Sequence, residues 1–323
     1  MSLAHVNWRN ILARFGLLFA LVLLVVVLSF LSDRFLTTSN IINVLRQISI
    51  NAIIAFGMTV VIIGRGIDLS VGSLLAFVGV FSASLAVGGS SGEGGGLAVP
   101  LVILAGLGVG VLLGMANGAF VAFAGIAPFI VTLAGLTIFR GMALAWTDGR
   151  PVSGLPEVFS TLGYGTFLGV PMPIWIMLAF LLVTHVLLQY TALGRSVYAI
   201  GGNEEAARLS GIPVRRVLLF TYAYTGFASA LAALVLTGRL NSAQPTAGAM
   251  FELDAIAAVV VGGTSLFGGR GGVFGTLIGA LIIGVINNGM NLLNIESFYQ
   301  QIVKGGVILL ALLIDRLLAN RTA

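Results

Sequence analysis

The chain has 323 residues, 58% of them hydrophobic and 8% charged, with 44 glycines and a mean hydropathy of +1.10. This composition excludes a soluble globular domain and fits a helical bundle whose core lies in a bilayer, where glycine lets backbones approach closely. The net charge of +5 comes from basic residues that are all arginine except Lys304; they are scattered at the ends of apolar runs rather than clustered on one face, which argues against nucleic acid as a partner, and the lack of cysteine excludes disulfides, thiolate metal sites and cysteine nucleophiles.

Arg9 and Arg14 ahead of an apolar stretch imitate a signal peptide. The run from Phe15 to Ser32 is longer than a signal core of roughly 7 to 15 residues and lacks a small-residue cleavage site, so it reads as the first span. Apolar runs long enough to cross the hydrocarbon predict helices at 13–32, 47–64, 70–88, 97–118 and 128–147, then at 173–192, 217–237, 254–268, 272–293 and 300–318. The expected fold is an all-α integral membrane bundle of about ten spans, a single transmembrane domain over residues 1–323. Arg9, Arg14, Arg65, Arg195, Arg208, Arg215, Arg216, Arg270, Arg316 and Arg321 fall at one side, and only Arg34, Arg46, Arg150 and Arg239 at the other. The asymmetry predicts that both termini are cytoplasmic. Residues 88–96 form a short outer turn and 151–173 the longest outer loop. A faint repeat pairs residues 60–76 with 260–279, either a true repeat in one orientation or the chance likeness of glycine-rich segments.

Between the second and third spans lies GIDLSVGS, residues 66–73. Asp68 is either the local partner of Arg65 or, together with Ser70, an inner gate or contact for a cytoplasmic partner, an ionisable residue near the membrane being a functional candidate. Ser70 is placed to cap the incoming helix. Polar side chains inside the spans, Asn51, Asn117, Thr132, Asn287, Asn288 and Asn291, serve either as interhelical glue or as the lining of a path; Asn287 and Asn291, one turn apart, can face one cavity. Arg140 would cost roughly 2.5 to 3.5 kcal/mol at a helix centre and is expected to snorkel or to find a structural partner, as is Lys304. His5 and His185 lack neighbours at ligand spacing, so no metal site and no catalytic residue is expected.

The strongest functional signal is a charged island from Arg195 to Arg216, within a loop spanning residues 194–216. Asn203 is a good N-cap, Glu204 and Glu205 occupy the first turn, and Gly211 with Pro213 stops the helix. Glu204 and Arg208 are expected to pair at i, i+4. The island is either a solvated connection or a docking helix for another protein.

Its core, EAARLSG at 205–211, is similar to the Glu-Ala-Ala, three residues, Gly core of the cytoplasmic loop in importer permeases, with Ile212-Pro213 where the fuller pattern runs Ile-x-Leu-Pro. Together with GIDLSVGS (66–73), SAQPTAG (242–248), ELDAIAAVVVGGTSLFGG (252–269) and GTLIGAL (275–281), the chain resembles the ribose-type permease family of ATP-binding cassette sugar importers. That resemblance implies a multi-pass permease of the bacterial cytoplasmic (inner) membrane that pairs with a second copy as a homodimer and moves sugar by alternating access. It implies cytoplasmic ATP-binding subunits docked on Asn203, Glu204, Glu205, Ala206, Ala207, Arg208 and Gly211, and a periplasmic or extracellular sugar-binding protein touching Asn241, Gln244, Glu252 and Asp254. The last four are equally readable as a loop closing spans seven and eight. The chain has no GxxxxGK[ST] loop, so ATP and Mg belong on the partner and the chain itself carries no cofactor and is no enzyme. Ribose is the expected sugar, with xylose, a galactofuranose-type sugar or an autoinducer sugar as alternatives. A stand-alone secondary transporter would bury carboxylates at mid-membrane, whereas the acids here are expected at span ends.

Overall fold

The computed structural model describes residues 8–88 and 96–319; His5, Arg321 and most of the turn expected at 88–96 lie outside them. In chain order the elements are α1 (Trp8–Leu31), α2 (Thr38–Ile63), α3 (Val71–Val87), α4 (Val99–Ala124), α5 (Pro128–Thr147), β1 (Val152–Ser153), α6 (Glu157–Tyr164), β2 (Thr166–Phe167), β3 (Val170–Pro171) and α7 (Met172–Tyr190). They continue with α8 (Ala192–Gly202), α9 (Glu204–Leu209), α10 (Val214–Leu240), β4 (Ser242–Ala243), α11 (Phe251–Val261), α12 (Val273–Leu292) and α13 (Ser297–Ala319). Among the described residues, 6 helices are long and apolar enough to cross a membrane: α2, α4, α5, α7, α10 and α12. Prolines at the first or second position open α4, α5 and α7, where the missing N–H is an orphan in any helix. One expected span is corrected: residues 254–268 do not form a single helix, because α11 stops at Gly262 and residues 262–272 are an irregular loop.

The helices alternate in direction. One end of the bundle gathers the C-termini of α2 and α7, the short helices α8 and α9, and the start of α10, around Val60, Ile63, Leu188, Val197, Ile200 and Val217. The other end holds α6 and the antiparallel pair in which Val152 faces Ala243 and Ser153 faces Ser242. Arg65, Arg195, Arg208, Arg215, Arg216 and Arg270 lie at the first end.

A glycine seam holds the centre. Gly106, Gly110, Gly114 and Gly118 recur every fourth residue along α4, all buried; the last three face α10, and Gly106 lies between Ser82 of α3 and Leu234 of α10. A Cβ on Gly110 would stand 2.7 Å from the Gly226 carbonyl oxygen, and one on Gly114 would strike the Tyr222 carbonyl oxygen. Without water to drive helices together, such backbone-to-backbone contact is what associates them. Hydroxyls add crosslinks: Thr225 of α10 donates to the Gly57 carbonyl of α2 at 3.0 Å, Thr59 of α2 meets Thr276 of α12 at 2.7 Å, and Thr184 of α7 meets Tyr224 of α10 at 2.7 Å.

The packing repeats itself between two halves, α2 to α5 and α10 to α13. As α10 lies on α4, α2 lies on α12; as α3 lies on α5, α11 lies on α13; α10 touches α3 as α2 touches α11. This matching pairs the irregular segment 64–70, ahead of α3, with 241–250, ahead of α11. It replaces the repeat expected between 60–76 and 260–279, whose likeness is one of glycine content rather than of place. Since α2 and α10 run in opposite directions, the halves are inverted relative to each other.

Gly114→Leu is expected to destabilise the protein by about 1–3 kcal/mol through overpacking of the seam, read as a lower thermal unfolding midpoint in detergent. Gly108→Ala, at an exposed position where a Cβ meets nothing within 4 Å, should leave the midpoint unchanged or raise it.

Candidate functional site

Both irregular segments enter the bundle, and polar side chains from neighbouring helices hold each. In the first, Asp68 is 0% exposed. Its Oδ1 accepts from the Ser70 N–H at 2.9 Å and from the Ser70 hydroxyl at 2.6 Å, an Asx turn that bends the chain into α3. Asn117 of α4 donates to Ser70 Oγ at 2.9 Å. Thr132 of α5 and Tyr222 of α10 reach the Ile67 carbonyl at 3.3 and 3.4 Å. Asn117 and Thr132, candidates for a path, are therefore bonded to the segment ahead of α3. Two expectations are corrected. Arg65 does not pair with Asp68: it sits exposed at φ 69°, a left-handed turn that carries its side chain away. Ser70 makes no side-chain cap on α3: its backbone is already in the helical region, and its hydroxyl donates to Asp68 and accepts from Asn117.

The second segment runs from Asn241 to Met250, both at positive φ. Arg140 of α5 donates through Nη1 to the Pro245 carbonyl at 2.6 Å and the Ala247 carbonyl at 2.8 Å. Of the two outcomes expected for Arg140, the structural partner is the one observed; its guanidinium satisfies carbonyls that have no ladder of their own. Gly248 presses its backbone on that of Gly72, in the first turn of α3. The starts of α3 and α11 thus meet inside the bundle, with the Glu252 carboxylate beside Gly72.

Asp254, in the first turn of α11, is 5% exposed and ion-paired with Lys304 of α13 at 3.0 Å. It is withdrawn from any outer contact surface, and Glu252 is half-buried, whereas Asn241 and Gln244 are exposed. The expectation that acids gather at span ends is corrected as well. Asp68 and Asp254 stand in the interior because the segments that carry them dive inward, which hydropathy alone does not reveal.

Asn51 of α2 and Asn287 of α12 line one small pocket with Gln47, Ile283 and Asp254. The Oδ1 atoms of both asparagines are buried with no hydrogen-bond partner among the described residues, a cost of about 1–3 kcal/mol for each such group left unpaired. Asn291 is exposed instead and accepts from Gln300 at 2.8 Å, so it does not share that pocket. Asn288 forms a reciprocal amide pair with Asn40, at 2.8 and 3.0 Å.

In the charged island, Asn203 Oδ1 accepts from the Ala206 N–H at 3.0 Å and caps α9. Gly211, at φ 80°, turns the chain out of the helix. Arg208 pairs with Glu205, three residues back, rather than with Glu204 as expected; that carboxylate raises the guanidinium above its ordinary pKa. Ala207 is buried against the bundle, while Glu204, Glu205, Ala206, Arg208 and Gly211 are exposed and Leu209 is 81% exposed. Tyr198 of α8 donates to the Gly271 carbonyl at 2.8 Å, and burial raises its phenol pKa.

Sequence reasoning passed over Tyr222, Gln47 and Asn40. Nothing in their spacing announces Tyr222 or Gln47, since the Ile67 carbonyl that Tyr222 reaches and the residues that line the pocket with Gln47 are mostly distant in sequence. Asn40 carried a signal, as an amide in the first turn of an apolar helix. A double-mutant cycle of Asn40→Ala and Asn288→Ala is expected to give a coupling of about 0.6–1.7 kcal/mol, measured by unfolding in detergent.

Residues 40–312 match the family described as branched-chain amino acid transport system, permease component. The ribose import permease protein of Haemophilus influenzae is 50% identical over 306 residues, 94% of this chain and 93% of that protein. The ribose import permease protein of Bacillus subtilis is 50% identical over 314 residues, 97% and 95%. The D-allose transport system permease protein of Escherichia coli is 39% identical over 310 residues, 95% and 93%. No solved structure matches the chain. With two inverted halves of apolar helices and a family match across most of its length, the chain belongs to this family of transport-system permease components.

Proposed function

We propose that the chain is the membrane permease subunit of an ATP-driven, binding-protein-dependent sugar importer, and that its sugar is ribose. The observation that carries this reading is 50% identity over nearly full length to permeases named for ribose import, against 39% for the allose permease. On this reading the chain is a multi-pass protein of the bacterial cytoplasmic membrane with ten spans, α3 and α11 entering as short helices. The arginine-rich end faces the cytoplasm by the positive-inside rule, and both termini lie there.

Helix α9 is the docking element for the ATP-binding subunits, which hold ATP and Mg. Three properties suit it. Asn203 caps it, so its shape does not depend on a partner; Ala207 fixes it to the bundle; Leu209 offers an apolar side chain to whatever covers it. The permease acts as a homodimer, and the opposite end, with Asn241 and Gln244 exposed, receives the sugar-binding protein. Loaded binding protein docks outside, ATP closes the motor subunits, and α9 passes their motion to the bundle, which opens alternately to each side. Buried Asp68 and Asp254 do not require an ion-coupled transporter, because each already has a structural task, in the turn ahead of α3 and in the pair with Lys304.

Glu205→Lys and Gly211→Asp are expected to lower ribose-stimulated ATP hydrolysis by at least tenfold in nanodiscs holding the full complex, while the permease stays folded and monodisperse. Normal stimulation in both variants would refute α9 as the docking element. Failure of ribose-loaded binding protein to stimulate the wild-type complex would refute the ribose assignment.

A further inference from the structure

We infer that Gln47, Asn51, Asn287 and Asp254 form a single intramembrane station that contacts the hydroxyls of a neutral sugar in transit. The inference rests on the importer reading above and adds a place to it. Other polar groups inside the bundle are mostly spent: Asn117 on Ser70, Asn288 on Asn40, Thr59 on Thr276, Thr225 on Gly57. Asn51 and Asn287 differ: their Oδ1 atoms are buried and lack partners among the described residues, as do Asp68 Oδ2, Ser82 Oγ and Arg46 Nε, but only these two line one pocket together. Asn287 is 7% exposed. Two unpaired carboxamides on facing helices are costly to keep, and a visiting group that both donates and accepts hydrogen bonds removes that cost.

The lining fits a polyol. Gln47, Asn51 and Asn287 each supply an acceptor and two donors, and no net charge is left over, since Lys304 neutralises Asp254 from outside the lining. Ile48, Ala258, Ala280 and Ile283 complete the wall with apolar surface suited to the C–H face of a sugar. The pocket as it stands has room for about one water, so a sugar enters only when its walls part. Its walls belong to α2, α11 and α12, with Lys304 of α13 behind Asp254, and parting α11 from α2 widens it. The contacts are few, which keeps the hold weak enough for release.

The chain has no cysteine, so single cysteines report on the station directly. Asn51→Cys and Asn287→Cys, in the complete complex in liposomes, are expected to react with a water-soluble methanethiosulfonate at least tenfold faster during turnover with ATP and ribose-loaded binding protein than at rest. Asn288→Cys, beside Asn40, serves as the reference and should change less than twofold. Equal rates at Asn287 in rest and turnover would overturn the station. In the same liposomes, Asn51→Ala and Asn287→Ala should lower ribose moved per ATP hydrolysed three- to tenfold while stimulated hydrolysis stays within twofold of wild type. An unchanged ratio in both variants would leave the pocket holding water alone and overturn the proposal. Loss of stimulation in the wild-type complex would instead mark failure of the importer reading, a separate readout.

Discussion

Two backbones touching at Gly72 and Gly248 set the terms for the rest of the structure. A side chain at either position would strike the carbonyl oxygen of the other, so only glycine allows α3 and α11 to begin back to back inside the bundle. Everything that surrounds this contact serves the backbone groups it strands. In hydrocarbon an unpaired N–H or C=O has no water to turn to, and irregular chain survives there only where protein supplies the partners. Arg140 supplies them to Pro245 and Ala247; Thr132 and Tyr222 supply them to Ile67; Asp68 supplies one to the Ser70 N–H.

The same constraint explains why polarity in this chain is internal. A bundle of unbroken helices satisfies its own backbone and needs few buried charges. Breaking α3 and α11 short demands a cation on α5 and leaves an aspartate on α11, which in turn demands Lys304 on α13. Arg140 and Lys304 thus occupy related places in the two halves, each on the helix that packs against the short one. Yet both cations act on the start of α11: Arg140 reaches across from α5 to the Pro245 and Ala247 carbonyls ahead of it, and Lys304 pairs with Asp254 in its first turn, whereas the turn ahead of α3 is held by the neutral groups of Asn117, Thr132 and Tyr222.

Much of the fold is legible in the sequence. Most of the expected apolar segments coincide with helices, the stretch 254–268 being the exception, and Pro128 and Thr147 bound α5 as anticipated, because length and apolarity are one-dimensional properties. The cap at Asn203 and the turn at Gly211 are equally local and equally readable. The seam on α4 was readable too, from glycines at every fourth position, although general glycine richness masked that spacing. What hydropathy does not carry is depth. Asp68, Glu252 and Asp254 stand beside long apolar runs, and in a string of letters that looks like the rim of a membrane; three-dimensional re-entry of 64–70 and 241–250 puts them inside. For the same reason Asn51, Asn117, Asn287 and Asn288 were indistinguishable as letters, and only their partners, or the lack of them, separate fastener from vacancy.

The end of α2 is stitched to a helix and a loop at once. The Ile63 carbonyl accepts from the Gly269 N–H at 2.9 Å, and Gly201 of α8 lies with its backbone against both groups. Three segments of chain therefore meet backbone to backbone, with no room for a side chain between them. Any displacement applied to α8 and α9 cannot be taken up by rotamer changes at that point. The contact gives α8 a direct backbone route to the turn carrying Asp68 on one side and to the glycine loop ahead of α12 on the other.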